Sequence, residues 1–194
     1  MIDYYEIKSQ PITRLMVWEA YKQVRSNKAS SGVDHMTWQW LEKNSSSELY
    51  KLWNRLTSGS YHPQAVKEVS IPKNDGGMRK LGIPTVIDRI AQQVVRNHLE
   101  KLVEPHFHNS SFGYRPNRSS HDAVKQSCSN CFNHDFAIDL DMSRFFDTID
   151  HDLMMKAVSY FCKDKWVLLY VNRWLKAGIV QENGETIDRL TGTP

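Results

Sequence analysis

Apolar residues recur along the chain with two periods, and each period predicts a type of element. After Pro11, residues Ile12, Leu15, Met16, Ala20 and Val24 fall at helical spacing, and a proline suits the first turn of a helix. A loop from Asn27 to Asp34 follows, with Gly32 inside it, and then a short helix near Thr37. Ser45-Ser46-Ser47 ahead of Glu48 predicts a separate helix start; that helix runs to about Thr57, with Leu49, Leu52, Trp53 and Leu56 on one face and Gly59 beyond its end. From Val66 to Ile71 and from Met78 to Ile83 the chain reads as two strands. The turn formers between them, Pro72 to Gly77, predict a hairpin. Thr85, three residues ahead of Asp88, has capping-box spacing, so a capped helix follows along Ile87, Ile90, Ala91, Val94, Val95, Leu99 and Leu102 and stops near Pro105.

Residues 106–120 lack periodicity and predict a loop, with a helix starting near Ser120. Phe136 to Met142 alternates and predicts a strand. Two helices follow, about His151 to Cys162 and about Asp164 to Ala177, the second closed by Gly178. Ile179 to Leu190 has Asn183-Gly184 at its centre, a strong hairpin signal. Helices and antiparallel hairpins mix without a βαβ rhythm, so the fold class is α+β.

Three segments carry chemistry. In the predicted strand Phe136–Met142, side chains alternate, so Phe136, Ile138, Leu140 and Met142 share one face while Asp139 and Asp141 share the other. Burial of the apolar face would hold both carboxylates on a rigid element near a turn, which suits a hard cation such as Mg2+. The same pattern fits an amphipathic strand with solvated acids equally well. Lys73 and Arg79 flank the tip of the first hairpin, where a lysine point charge and an arginine fork can grip a triphosphate, or stand solvated at an ordinary turn. The loop Gly113-Tyr114-Arg115-Pro116-Asn117-Arg118-Ser119-Ser120-His121 joins an aromatic to two arginines. Such a loop can contact a nucleic-acid backbone and stack on bases, or be plain surface. Cys128 and Cys131 have the spacing of a metal knuckle, with His121 and His134 nearby; without a second cysteine pair they read as incidental thiols.

Charge refines this picture. The chain has 194 residues, with 25 basic against 22 acidic side chains and a formal charge of +3. Residues 1–60 hold eight basic and six acidic groups, residues 61–130 hold ten and six, and residues 131–194 hold seven and ten. A basic middle suits a phosphate-rich partner, and an acidic last third suits a cation. With 40% hydrophobic residues the chain can bury a core, which excludes disorder as its main state. No apolar run approaches a membrane span, no secretory signal is evident, and three cysteines fit reduced thiols and a cytoplasmic setting.

Taken together the segments resemble one family. IPKNDGGMRKLGIPTVIDRIAQQVV is similar to the fingers segment of group II intron-encoded reverse transcriptases (maturases). SFGYRPNRSSHDAV resembles the loop and helix that follow it. AIDLDMSRFFDTIDHDLM resembles the strand carrying the first catalytic aspartate, SNKASSGVDHMTW the N-terminal extension, and the final GTP the start of the next motif. The resemblance covers nearly the whole chain, with the motifs in the family's order and spacing.

It implies a right-hand polymerase fold of fingers and the first part of a palm. Residues 1–60 would be a helical extension of the fingers, 61–104 the fingers hairpin and helix, and 105–194 a partial palm. Asp141 would be a catalytic ligand for two Mg2+ ions, with the Met142 carbonyl assisting. The amides of Arg144 and Phe145 would meet the incoming triphosphate, with Ser143 also in the nucleotide site, Phe146 would stack under the deoxyribose, and Lys73 and Arg79 would hold the triphosphate from above. Ile83, Pro84 and Arg89 would lie near the templating base, and Tyr114, Arg115 and Arg118 near RNA. Asp139 would be a supporting acid. Lys80 stands where the family commonly has proline, and Ser143-Arg144 where it has Lys-Gly.

The implied activity is RNA-directed DNA synthesis from a dNTP on a DNA primer and RNA template, together with intron RNA binding and assistance to splicing. The chain ends ahead of the family's Asp-Asp motif, so it is expected to be an N-terminal fragment, inactive alone, that self-associates as a homodimer. Two other readings stand beside this one: a non-catalytic RNA-binding maturase module, and an Asp-x-Asp phosphotransferase, whose doubly wound sheet the element order argues against.

Overall fold

A computed structural model describes residues 9–26, 30–72 and 76–193. Helices α1 (Arg14–Arg25) and α2 (Trp38–Thr57) precede a hairpin of β1 (Val66–Pro72) and β2 (Met78–Ile83). Helix α3 (Val86–Val103) runs into a 3₁₀ turn at Glu104–His106, followed by α4 (Ser120–Cys131), α5 (Phe145–Thr148), α6 (His151–Phe161) and α7 (Lys165–Leu175). The short strands β3 (Ile179–Val180) and β4 (Thr186–Ile187) end the series.

The helices pack first. Val17, Ala20 and Tyr21 of α1, Leu41, Leu52 and Leu56 of α2, and Ile90, Ala91, Val94 and Val95 of α3 form one buried cluster, joined by Trp166, Val167 and Tyr170 of α7. Burying such side chains contributes roughly 1.5–3 kcal/mol each, so this cluster is the main source of stability. The Tyr170 hydroxyl donates to the Leu56 carbonyl, and Arg173 Nη1 donates to the Gly59 carbonyl at 2.7 Å, which ties α7 to the end of α2. Gly59, at φ +73°, ends α2 in the left-handed conformation that glycine adopts most cheaply.

The sheet has the order β2-β1-β3-β4. β1 and β2 pair antiparallel from Lys67 opposite Ile83 to Pro72 opposite Met78, and β3 and β4 pair antiparallel across the Asn183-Gly184 turn. The two predicted hairpins are present, and a parallel step joins them, with Val66 opposite Ile179 and Lys67 opposite Val180. A parallel step needs a long crossover, and here everything from α3 to α7 supplies it. The result is helices with a small mixed sheet.

Three expectations need correction. The two helices predicted around Thr37 and Ser46 are one 20-residue helix. Thr37 accepts from the Trp40 amide as its cap, and Ser45 donates back to the Glu42 carbonyl at 3.2 Å, so the serines are absorbed into the helix. The buried face of α1 is rotated from the predicted stripe, and Leu15 is exposed.

The largest difference lies at Phe136–Met142, which is not a strand. Phe136, Ile138, Leu140 and Met142 are 90%, 84%, 89% and 70% exposed, so the row expected to anchor the two aspartates is left out of the core. Alternation marks which side of a strand can be buried. A strand also needs a neighbouring backbone for its amides and carbonyls, and among the described residues none pairs with this one.

The Thr85 cap forms as predicted, with the hydroxyl accepting from the Asp88 amide at 3.1 Å. The Asp88 carboxylate turns inward instead of back to the cap backbone. It accepts from Thr85 Oγ1 at 2.7 Å, from the Gln64 amide at 3.3 Å and from the Tyr61 hydroxyl. Burial pushes the Asp88 carboxyl above its ordinary value, and those three donors oppose the rise. Among the described residues no helix is long and apolar enough to cross a membrane.

Candidate functional site

A cleft of about 1750 Å³ opens between the β1–β2 hairpin and the segment from Leu140 to Asp147. Of the residues singled out in the sequence, Arg79, Tyr114, Asp141, Met142, Arg144, Phe145 and Phe146 line it together. Ser143 is exposed at the turn but not among the lining residues. Lys73 lies outside the described residues.

The turn after Asp141 owes its shape to Arg144. This residue has φ +52°, in the left-handed region, and its carbonyl starts α5 by accepting from the Asp147 amide at 3.0 Å and the Thr148 amide at 3.1 Å. A non-glycine residue there carries strain of roughly 1–2 kcal/mol, so glycine would be the natural occupant. Phe145 and Phe146 then stand edge to face, 5.5 Å between centroids, at the cleft wall.

Residues 191–193 brace this turn from behind. The Gly192 amide donates to the Ile149 carbonyl at 2.8 Å, and the Thr193 amide to the Phe146 carbonyl at 2.7 Å. His151 Nε2 donates to the Gly192 carbonyl at 2.9 Å, and Asp150 and Thr191 form an antiparallel bridge. Two motifs some forty residues apart in sequence are therefore one structural unit.

The cleft's acids are Glu68, Asp141, Asp147 and Asp188. Glu68 pairs with Lys80 at 2.9 Å, so the residue in the usual proline position is a partner in an ion pair. Arg189, which nothing in the sequence pattern marked, also lines the cleft. Its Nε is shielded from solvent without a hydrogen-bond partner. Burial pulls its pKa down, while the charges of Asp147 and Glu68 oppose that. A pair of Mg2+ ions needs several carboxylates that converge. Among the described residues, no group of three potential ligands includes Asp141. Among the described residues the acids around Asp141 therefore do not converge as such a pair requires.

The remaining expected residues sit elsewhere. Arg89 donates through Nε and Nη2 to the Pro84 carbonyl at 3.1 and 2.9 Å, and through Nη2 to the Ser30 carbonyl. Gly32 lies so close to Thr85 that an added Cβ would stand 2.7 Å from its Cα. The segment containing Ser30 and Gly32 is thus docked against Pro84, Thr85 and Arg89, and this requires glycine for close approach rather than for its dihedral. Arg115 is spent inside its loop: its side chain is 7% exposed, pairs with Glu104 at 2.7 Å and donates to the His108 and Ser111 carbonyls, both at 2.8 Å. Arg118 donates to the Asn109 carbonyl at 2.9 Å and lies over Phe112. Those bonds hold Tyr114, which is 98% exposed at φ +56°, as the free aromatic of the loop.

Residues 71–194 match the family model described as reverse transcriptase (RNA-dependent DNA polymerase). Protein YkfC of Escherichia coli (strain K12) is 38% identical over 152 residues, covering 76% of this chain and 40% of that protein. The group II intron-encoded protein LtrA of Lactococcus lactis subsp. cremoris is 34% identical over 178 residues, covering 90% of this chain and 29% of LtrA. A putative COX1/OXI3 intron 1 protein of Saccharomyces cerevisiae is 30% identical over 179 residues, covering 92% of this chain and 21% of that protein. The chain thus spans well under half the length of these relatives. The motifs, their meeting in one cleft and these likenesses agree: the chain belongs to the reverse transcriptase family, and within it to the group II intron-encoded reverse transcriptases and maturases.

Proposed function

We propose that the chain carries the nucleotide-facing part of an RNA-directed DNA polymerase of the group II intron type, whose intact form also binds intron RNA and assists its splicing. On this reading residues 1–60 extend the fingers, 61–104 are the fingers hairpin and helix, and 105–194 begin the palm. The observation that carries it is the meeting of Arg79 and Arg144 with Asp141 and Phe146 in a single cleft. Two guanidinium groups and a carboxylate beside an exposed aromatic ring suit a triphosphate, a cation and a sugar respectively.

Each residue then has a role of its own. Arg79 and Lys73, from the hairpin, and Arg144, from the opposite wall, bind and orient the triphosphate of a dNTP. Phe146 packs under the deoxyribose and excludes a 2′-hydroxyl. Tyr114 stacks near the RNA template, while Arg115 and Arg118 act from behind it by holding their loop. Ile83, Pro84 and Arg89 support the templating position from the base of the hairpin. Reverse transcriptases generally use a divalent metal ion. Mg2+ is the cation proposed here, and Asp141 with the Met142 carbonyl would contribute ligands to it. The DNA primer would supply the attacking 3′-hydroxyl.

The test is Asp141→Ala in a protein that holds the whole polymerase. Template-dependent dNTP incorporation should be abolished while binding to intron RNA is largely kept. An active variant would overturn the assignment. Residues 1–194 alone should incorporate no dNTP, because their acids do not complete a metal centre around Asp141.

A further inference from the structure

We propose that His98, Cys162 and Asp164 form a binding site for a tetrahedral transition-metal ion, with Zn2+ the best match, which clamps α3 to the turn between α6 and α7. None of the three lines the cleft, and the proposal is independent of the polymerase reading. His98 Nε2 lies 2.6 Å from Asp164 Oδ2, Cys162 Sγ lies 3.6 Å from the same oxygen, and the three donor atoms all fall within 4.8 Å of one another. Around a zinc ion bonded at the usual lengths, nitrogen, sulfur and oxygen ligands stand roughly 3.3–3.7 Å apart. Shifts of about an ångström at half-exposed side chains therefore convert the present arrangement into a coordination shell.

A second observation points the same way. Asp164 occupies the N-cap position of α7, where an aspartate ordinarily accepts from the helix amides, yet it makes no side-chain capping bond. Its carboxylate is turned away from the helix and toward His98 and Cys162. The His98 ring is held by Trp166, 4.9 Å between centroids. Cys162 is buried, while His98 and Asp164 each keep part of their surface open to solvent. Protein thus walls one side, and water can take the fourth position from the other.

The donor chemistry selects the ion. A thiolate and an imidazole favour Zn2+ and its neighbours over Mg2+, which takes oxygen ligands. On binding, the thiol proton leaves to solvent, the imidazole carries its remaining proton on Nδ1, and the present His98–Asp164 hydrogen bond gives way to two metal bonds. His98 and Asp164 are 66 positions apart, so the ion would bridge elements that the chain brings together only on folding.

Titration of the reduced 194-residue chain with Co2+ tests this. The expected result is one equivalent bound, with a thiolate-to-cobalt charge-transfer band and tetrahedral visible bands, all removed by added Zn2+ and unmoved by excess Mg2+. Cys162→Ser should lose the charge-transfer band entirely. His98→Ala, at a half-exposed position that leaves the core intact, should lose stoichiometric binding while keeping the helical circular dichroism. A Cys128→Ser/Cys131→Ser double variant should keep the full spectrum. Zn2+ should raise the Tm of the wild-type chain and not that of His98→Ala. Absence of a thiolate band at excess Co2+, or a band lost only in the Cys128/Cys131 variant, would overturn the proposal.

Discussion

A Cβ placed on Gly192 would stand 2.6 Å from the Asp147 carbonyl oxygen, and Gly192 itself sits at φ +79°. Both facts demand glycine, and the colliding atoms are backbone that cannot swing aside. This contact holds the turn carrying Arg144, Phe145 and Phe146 against residues 191–193.

Gly192→Ala should therefore destabilise the chain by about 2 kcal/mol or more, through left-handed strain together with the clash. Urea unfolding should show a lower midpoint with an unchanged slope. Amide exchange at Thr193, which donates to Phe146, should speed up before that in the helical core. Wild-type protection at Thr193 in the variant would show that the brace does not need this close approach.

Arg144→Gly separates conformation from charge. It removes left-handed strain of roughly 1–2 kcal/mol, and glycine costs roughly 0.5–1 kcal/mol in lost unfolded-state restriction, so the variant should be more stable by about 0.5–1 kcal/mol. In the intact polymerase the same change deletes a cleft cation, so KM for dNTP should rise severalfold. A stabler variant with unchanged KM would leave the αL assignment standing and remove Arg144 from the triphosphate site.

Asp88 gives a pH signature. Its folded pKa lies above the ordinary value because of burial, so between those two values the folded state binds more protons than the unfolded one. Its contribution to stability is full below the ordinary value and is lost as pH rises through the folded one. Asp88→Asn keeps an acceptor for Tyr61 and abolishes the titration. Relative to wild type, the variant should gain stability as pH is raised from about 4, then level off above the folded pKa. Exposed carboxylates such as Asp122 are common to both proteins and cancel in the difference. A pH-independent difference would contradict the raised pKa.

The row Phe136, Ile138, Leu140 and Met142 is exposed on a segment that pairs with no strand among the described residues, and exposed apolar rows associate. Residues 1–194 should self-associate at micromolar concentration by light scattering, the homodimer being the smallest such species. Ile138→Lys with Leu140→Lys should shift the chain toward monomer. A wild-type monomer under those conditions would refute the expectation.

Much of the molecule was legible in the residue pattern, because local signals and tertiary packing agree there. Alternation and the turn formers after Ile71 mark the first hairpin, Thr85 marks the start of α3, and Asn183-Gly184 marks the second hairpin. Seven cleft residues, Arg79, Tyr114, Asp141, Met142, Arg144, Phe145 and Phe146, follow from their segments, whereas Glu68, Asp147, Asp188 and Arg189 do not. Other features depend on partners that local sequence does not show. A cation pattern at Arg89 and Arg115 could not reveal the carbonyls and the carboxylate that consume them. Thr85 and Asp88 announce a cap, but only Tyr61 and Gln64 arriving from a distant segment turn the carboxylate inward. Arg189 had no signal at all until Asp147 and Glu68 were seen to face it.

Local patterning marks most of the helices, both hairpins and the residue types carried by the first hairpin and the Asp141 turn, because periodicity, caps and turn residues act within a few positions; it divides α2 in two and does not show α5. Tertiary contacts settle the rest: the two hairpins join through a parallel step, Gly192 braces Asp147, His98 meets Cys162 and Asp164, and among the described residues no strand pairs with Phe136–Met142. Each of these is a contact between distant parts of the chain. Such contacts depend on which surfaces have a neighbour in space, and alternation or charge along a single segment carries no record of that.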